Sequence, residues 1–323
     1  MDRQLIASII ICLMACVSVR VNAAQGQWET HFAYNSVEQI AVGTDETFAL
    51  ANGAIFSVGK VTETLTKYDS RDGLHGREIV YIAYDTAREQ LLIMYNDGKV
   101  DIMHNKRVRY ISDLYNKRMM ASKRCNNVTI VGNKAYLSME FGILLFDLER
   151  YEFKDTYYIG RNGAEVQVLD VMLYRDSIYA KTKDKYYCAA LKDKLVDYHY
   201  WHECATLPAA FDTNKGKNVT DRNGDIWKAA GTNGVYRKSL TGEETYYLPE
   251  GPQVNIPYWM TVDRGRLYVV QGGRWATQYS RAGHVMIYEE KHWTNITQSD
   301  IRAKTGKPAL DFMNVAVDPN DAD

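Results

Sequence analysis

Cysteine and proline are scarce. The 323 residues contain five cysteines and six prolines. Two of the cysteines, Cys12 and Cys16, fall in the first two dozen residues. Without them Cys125, Cys188 and Cys204 remain, an odd set that excludes a complete disulfide framework. A chain this long buries enough surface to do without one. The three are expected to be free, buried thiols packed as small apolar residues. Charge of one sign is also missing. The 39 basic and 40 acidic residues leave a net charge of −1, which gives no electrostatic footprint for nucleic acid. No low-complexity linker interrupts the chain. Beyond residue 24 no apolar run is long enough to span a bilayer.

Catalytic signatures are missing too. The chain has no Gly-x-Ser-x-Gly elbow, His-Glu-x-x-His pair, phosphate-binding glycine loop or Cys-x-x-Cys. Its acidic residues are scattered, and no pair can be assigned to one site as a glycosidase would need. The sequence thus carries no positive evidence for an enzyme, no cofactor is expected, and no catalytic or metal-binding residue is assigned. One cluster, His199, His202 and Cys204 with Cys188, has zinc-binding side chains. Its two histidines are three apart, so on an extended strand they face opposite ways. An aromatic-rich strand edge is the better reading there.

What the chain has first is a leader. Asp2-Arg3 precedes an apolar run from Leu5 to Val19, and Val21-Asn22-Ala23 or Asn22-Ala23-Ala24 supplies a small-residue exit. This is expected to be a secretory signal peptide over residues 1–24. Leu13-Met14-Ala15-Cys16 has a partial likeness to a lipoprotein cleavage site, with Met in an unusual position. Residues 25–323 are then expected to form one domain.

Tyrosine is abundant, with 24 residues against 8 phenylalanines, a bias that favours strands. From Val37 onward one pattern recurs: an apolar strand, a second strand, a tight turn and a third strand. Arg77–Asp85, Gln90–Tyr95 and Lys99–Met103 show it plainly, with Asn96-Asp97-Gly98 as the hairpin turn. The second-strand anchors are Phe48, Leu92, Tyr136, Tyr179, Trp227 and Tyr268. Their mean step is (268 − 48)/5 = 44 residues, the period of a four-stranded propeller blade. The fold class is an all-β propeller of six complete four-stranded blades. Asp311–Val317 is expected to begin a seventh, in a truncated seven-bladed ring. Trp28–Tyr34 reads as a lone strand suited to pair into the last blade as a clasp, which would shield exposed edges.

Aromatic groups recur near strand ends: Tyr157-Tyr158, Tyr186-Tyr187, Tyr198 to Trp201, Tyr246-Tyr247 and Tyr258-Trp259. Period-two alternation predicts that one of each pair packs between blades while its neighbour faces outward. The hairpin Gly272-Gly273-Arg274-Trp275 differs. It is the longest loop of its kind in the repeats, and it places an Arg and a Trp where a polar tip would suffice. Arg274 and Trp275 are the candidate binding residues, because long loops on a rigid scaffold carry recognition.

Two motifs narrow the group. Tyr68-Asp-Ser-Arg-Asp-Gly-Leu74 resembles the Asp-Gly-Leu signature of two-component-regulator propellers, and Val219-Thr-Asp-Arg-Asn-Gly-Asp-Ile-Trp227 is similar to the same repeat. The ordered set Leu91–Asp101, Lys134–Ile143, Asp155–Gly160 and Asp311–Pro319 most resembles the N-terminal propeller of the PorZ family of the Bacteroidota type IX secretion system. The resemblance implies a non-enzymatic protein of the outer membrane or cell surface, or a periplasmic one. It would bind anionic lipopolysaccharide and partner with the sortase-like PorU and with PorV and PorQ. Family members continue into a second propeller and a C-terminal sorting domain, which these 323 residues do not contain. The alternative is the periplasmic sensor propeller of a hybrid two-component regulator. That group would carry Asp-x-x-Gly-x-Ile-Trp in most blades, and only the fifth repeat has it here.

Overall fold

The computed structural model describes residues 29–212, 216–273, 279–318 and 320. The leader assigned to residues 1–24 lies outside them. The described residues fall into two units, 29–31 and those from 32 onward. In the first, Glu29 and His31 approach to 3.8 Å. The second unit contains six four-stranded antiparallel sheets, each a meander of consecutive strands. They span residues 37–68, 79–111, 125–157, 168–204, 218–247 and 259–296, and are numbered one to six here. All six sequence anchors sit on the second strand of their blade. No described helix is long and apolar enough to cross a membrane.

The repeat extends below the level of strands. The innermost strands of blades one to four each carry a register break near their start: Val37/Gln39, Ile79/Tyr81, Cys125/Asn127 and Val168/Asp170. A bulge bends a strand and re-aims the next side chain. Gln39 uses this to cross to the next blade. Its amide nitrogen donates to the Ile82 carbonyl (2.8 Å), and its oxygen accepts from the Ile82 N–H (3.0 Å). Tight turns recur with Gly98 at φ 87° and Gly234 at φ 84°. At Gly234 a Cβ would sit 2.2 Å from the Tyr247 carbonyl oxygen, so only glycine lets the outer strand approach.

Packing reveals an order that the period does not. Blades one and two share an apolar cluster that includes Leu50, Ile55, Ile82 and Ile93, and blades two and three share one with Leu92, Ile102, Leu137 and Phe146. Blades three and four share one with Ile143, Leu145, Val171 and Ile178. Asn126 and Thr129 donate to the Val168 and Val171 carbonyls across the same seam (2.9 and 2.5 Å). Blade five then packs on blade one. Trp227, Val235 and Tyr247 join Ala49, Phe56 and Val58 in one cluster. Val37 N–H donates to the Gly231 carbonyl (2.9 Å) and Ile40 N–H to that of Gly216 (2.6 Å). The spatial order is five, one, two, three, four.

The first residues of this unit depart from the expected clasp. Residues 32–35 form no strand. They lie instead along blade one and the connector after blade five. Tyr34 packs edge-on against Phe56 at 5.6 Å. Ala33 N–H donates to Asn255 Oδ1 (2.6 Å) and the Asn35 side chain to the Gln253 carbonyl (2.9 Å). Short side-chain bonds replace the ladder because the chain meets a loop here, not a strand edge.

Blade six contributes no residue to the four apolar clusters. It is held by the 248–255 connector, where Asn295 donates to the Gly251 carbonyl (3.0 Å) and Trp293 N–H to the Glu250 carboxylate. Lys67 of blade one donates to the Glu250 carbonyl (2.6 Å). A capped helix α1 (Gln298–Thr305) follows, and then the stretch read as the start of a seventh blade. Leu310, just before that stretch, bridges Ala282.

One prediction arises from the seam between blades one and two. Gln39→Met keeps the volume but leaves both Ile82 backbone groups unpaired in a buried site. We expect a loss of about 2 kcal/mol, read as a lower urea midpoint with an unchanged slope.

Candidate functional site

Arg274 and Trp275 lie outside the described residues, but the stem that presents them is described. Gly272 and Gly273 take φ values of 68° and 146°. A Cβ at Gly272 would meet the Tyr258 ring at 2.5 Å, so glycine lets the hairpin lie flat on that ring. The Gly272 N–H donates to the Phe312 carbonyl (2.9 Å). On the return side, the Asp311 carboxylate accepts from the N–H groups of Ser280 (3.0 Å) and Arg281 (2.9 Å). Arg281 also donates to the Gln271 carbonyl (3.2 Å). The loop base is therefore anchored on both sides by the stretch 310–312.

Beside this stem the innermost strand of blade six, Trp259–Asp263, is unusually open. Tyr258, Trp259 and Met260 are 46%, 49% and 59% exposed. The alternation rule explains the contrast. Tyr157, Tyr187 and Tyr247 are buried while Tyr158 and Tyr186 are half-buried and Tyr246 is exposed, and of these pairs only Tyr258-Trp259 has both members exposed. Tyr and Trp offer an apolar ring face with a polar handle, which suits sugar rings or a protein partner. His284 lies at the far end of the hairpin. Burial lowers its pKa below the ordinary imidazole value, in keeping with its Nδ1 accepting from the Gln298 N–H (3.3 Å).

A second polar cluster escaped sequence reasoning. Asp101 is fully buried in blade two. It accepts from the Tyr95 hydroxyl (2.7 Å) and the His75 N–H (2.8 Å), and its other oxygen lies 3.0 Å from His75 Nδ1. Burial, and then the Asp101 charge, push the Tyr95 phenol far up, so it remains a donor. His75 stacks on Tyr110 at 4.4 Å. The Asp-Gly-Leu motif shapes the approach. Asp69 and Asp72 close a capping box around one turn, and Gly73 ends it at φ 94°. The adjoining cavity, about 390 Å³, is lined by Leu74, His75, Arg77, Glu78, Asn96 and Lys99 among others. The signal was available: Asp101 sits between Val100 and Ile102 in an apolar strand, where a carboxylate needs buried donors.

The zinc-type side chains take other roles. His199 lies in a turn, with its Nδ1 2.7 Å from Asp197, and His202 is on the outer strand of blade four. No group of three metal-ligating side chains converges among the described residues. Cys125 is buried as expected, but Cys188 and Cys204 are half-exposed, because among the described residues no neighbouring blade covers that face of blade four.

Residues 47–202 match the family model described as TSS9, PorZ, N-terminal beta-propeller domain. Among solved structures, PorZ of Porphyromonas gingivalis superposes with a TM-score of 0.76 at 22% identity, over 92% of this chain and 50% of that one. It is described as an essential bacterial surface component of the type-IX secretion system. The chain thus spans half the length of that protein. The extracellular domain of a putative hybrid two component system, BT4673 of B. thetaiotaomicron, matches at TM-score 0.42 and 14% identity, over 84% of this chain and 36% of that one. No curated protein matches.

Proposed function

We propose, for a chain whose residues 47–202 match the model of the PorZ N-terminal β-propeller domain, a non-enzymatic role in the type IX secretion system. It acts in the attachment complex at the cell surface, with PorU, PorV and PorQ as its partners. The family match carries the reading. Within it, the open edge of blade six is the recognition surface, and anionic lipopolysaccharide is its ligand. Two features support that choice. Tyr258 and Trp259 depart from the burial pattern that every comparable pair obeys. Arg274 and Trp275 follow directly on a hairpin base anchored to both sides. An Arg beside aromatic faces pairs with phosphate or carboxylate while the rings take sugar faces. Export by the leader of residues 1–24 delivers the chain to that compartment.

The test is binding of purified anionic lipopolysaccharide to the wild type and to Arg274→Ala/Trp275→Ala. Loss of two anchor residues is expected to cost roughly 2 kcal/mol or more, about thirtyfold in Kd, with the thermal midpoint unchanged. Equal affinity would remove this loop from the site. A protein that binds no lipopolysaccharide but captures PorV or PorU would move the surface to protein recognition.

A further inference from the structure

The connector between blades two and three, residues 112–124, carries Lys117, Arg118, Lys123 and Arg124 against one acidic residue, Asp113. The whole chain has a net charge of −1, so this excess is local. The two basic pairs flank Met119-Met120-Ala121-Ser122. Met119 and Ala121 pack against the apolar cluster of blades two and three, and Leu114 is buried in it. Met120, between the two, is fully exposed. Its neighbours fix the backbone, so the fold holds an apolar side chain out in water, where it gains nothing. The connector is ordered before any partner arrives. Asp113–Asn116 forms one helical turn. The Lys123 ammonium donates to the Tyr115 carbonyl (2.6 Å) and lies 5.9 Å from the centre of the Tyr115 ring, with Lys99 over the same ring at 4.5 Å. A Cβ at Gly98 would sit 3.0 Å from the Lys123 side chain and 3.1 Å from Leu114, so the hairpin turn of blade two fits under the connector. Lys99 is paired with Asp97 (2.7 Å). Lys117, Arg118 and Arg124 are exposed and form no ion pair among the described residues.

We propose that residues 117–124 dock on the surface of a lipid bilayer with anionic phosphate headgroups. The basic pairs take the phosphates, and Met120 enters the boundary between headgroups and acyl chains. Charge complementarity argues for this occupant, since each Lys or Arg near an anionic bilayer is worth about fivefold in affinity. The placement of Met120 argues for it too. An apolar side chain set among basic ones is the pattern of segments that lie in the plane of a membrane interface, with the long basic side chains reaching back to the headgroups. A connector already tied to the blades loses little conformational freedom on docking, which favours binding by so small a segment. This surface shares no residue with the blade-six site, and its ligand needs no sugar. The inference rests on the exposed connector and not on the secretion role, so the two fail separately.

Flotation of the exported protein, free of its leader, with vesicles of phosphatidylcholine alone or mixed with phosphatidylglycerol tests it. Binding is expected to the mixed vesicles only, and it should weaken as salt is raised. Lys117→Ala/Arg118→Ala should weaken it about thirtyfold. Met120→Ser should weaken it about tenfold and keep the salt dependence of the wild type. These positions are solvent-exposed, so the thermal midpoints should not move. Arg274→Ala/Trp275→Ala should bind the vesicles as the wild type does. No binding to the mixed vesicles, equal binding to both vesicle types, or wild-type affinity in either connector variant would overturn the proposal. Binding that appears only when lipopolysaccharide is added, or that is lost with Arg274 and Trp275, would overturn it in favour of the blade-six site.

Discussion

Asp221→Ala is expected to destabilise the domain by about 3–5 kcal/mol, because it leaves a buried ammonium without a partner. The Lys60 and Asp221 side chains are 7% and 1% exposed, with Nζ and Oδ2 3.0 Å apart. Asp221 also accepts from Trp227 Nε1 (3.0 Å) and from the N–H groups of Asn223 (2.9 Å) and Asp225 (3.1 Å). Such a carboxylate organises the turn of blade five and its seam with blade one together. Removal of both charges tests the account. Lys60→Met/Asp221→Ala should recover much of the loss in urea unfolding, because the cost of an unpaired buried charge disappears. A double variant as unstable as the single one would mean that the turn, not the ion pair, carries the effect.

The same group sets an acid limit. Burial alone would raise the Asp221 pKa, but the Lys60 and Trp227 hydrogen bonds outweigh it and hold the group below its ordinary value. A carboxyl depressed in the folded state contributes stability that is complete above its unfolded pKa, near 3.9, and is lost as pH falls through the folded value. The wild type should therefore lose stability below about pH 4. Asp221→Asn should be less stable at neutral pH and flatter through that window.

The inner strands were legible because they obey one rule strongly. Val37–Val42, Val168–Tyr174, Val235–Lys238 and Arg266–Val270 are apolar, β-branched or aromatic and bounded by turn residues, and they form where that pattern places them. The outer strands were harder to read. Arg107–Ile111 and Glu152–Tyr157 each bury only their last residue, so little burial constraint disciplines their composition. The blade order was illegible for a different reason. A repeat period reports that each unit is a blade, but every blade face has a similar composition, so the period does not say which faces meet. That information lies in individual polar contacts such as Ile40 with Gly216 and Lys60 with Asp221. Asp101 was missed on similar grounds, since its donors come from residues 75 and 95 and converge only once the blade is built.

The unexpected seam makes the second large prediction, Trp227→Ala. Trp227 is fully buried, stacks on Tyr247 at 6.3 Å and shares a cluster with Phe56 and Val58 of blade one. Truncating an indole in such a place is expected to cost about 3–5 kcal/mol through lost contacts and the cavity left behind. The informative result is the coupling. Combined with Phe56→Leu in blade one, the loss should depart from additivity by about 0.5–3 kcal/mol, since the two side chains line one cluster. Combined with Ile178→Val in blade four, which belongs to the cluster shared with blade three, it should be additive within about 0.5 kcal/mol. A ring in which blade five stood beside blade four and away from blade one would make the Phe56 pair additive as well. The pair of cycles therefore measures blade order directly, by denaturant unfolding of the chain alone and without any ligand.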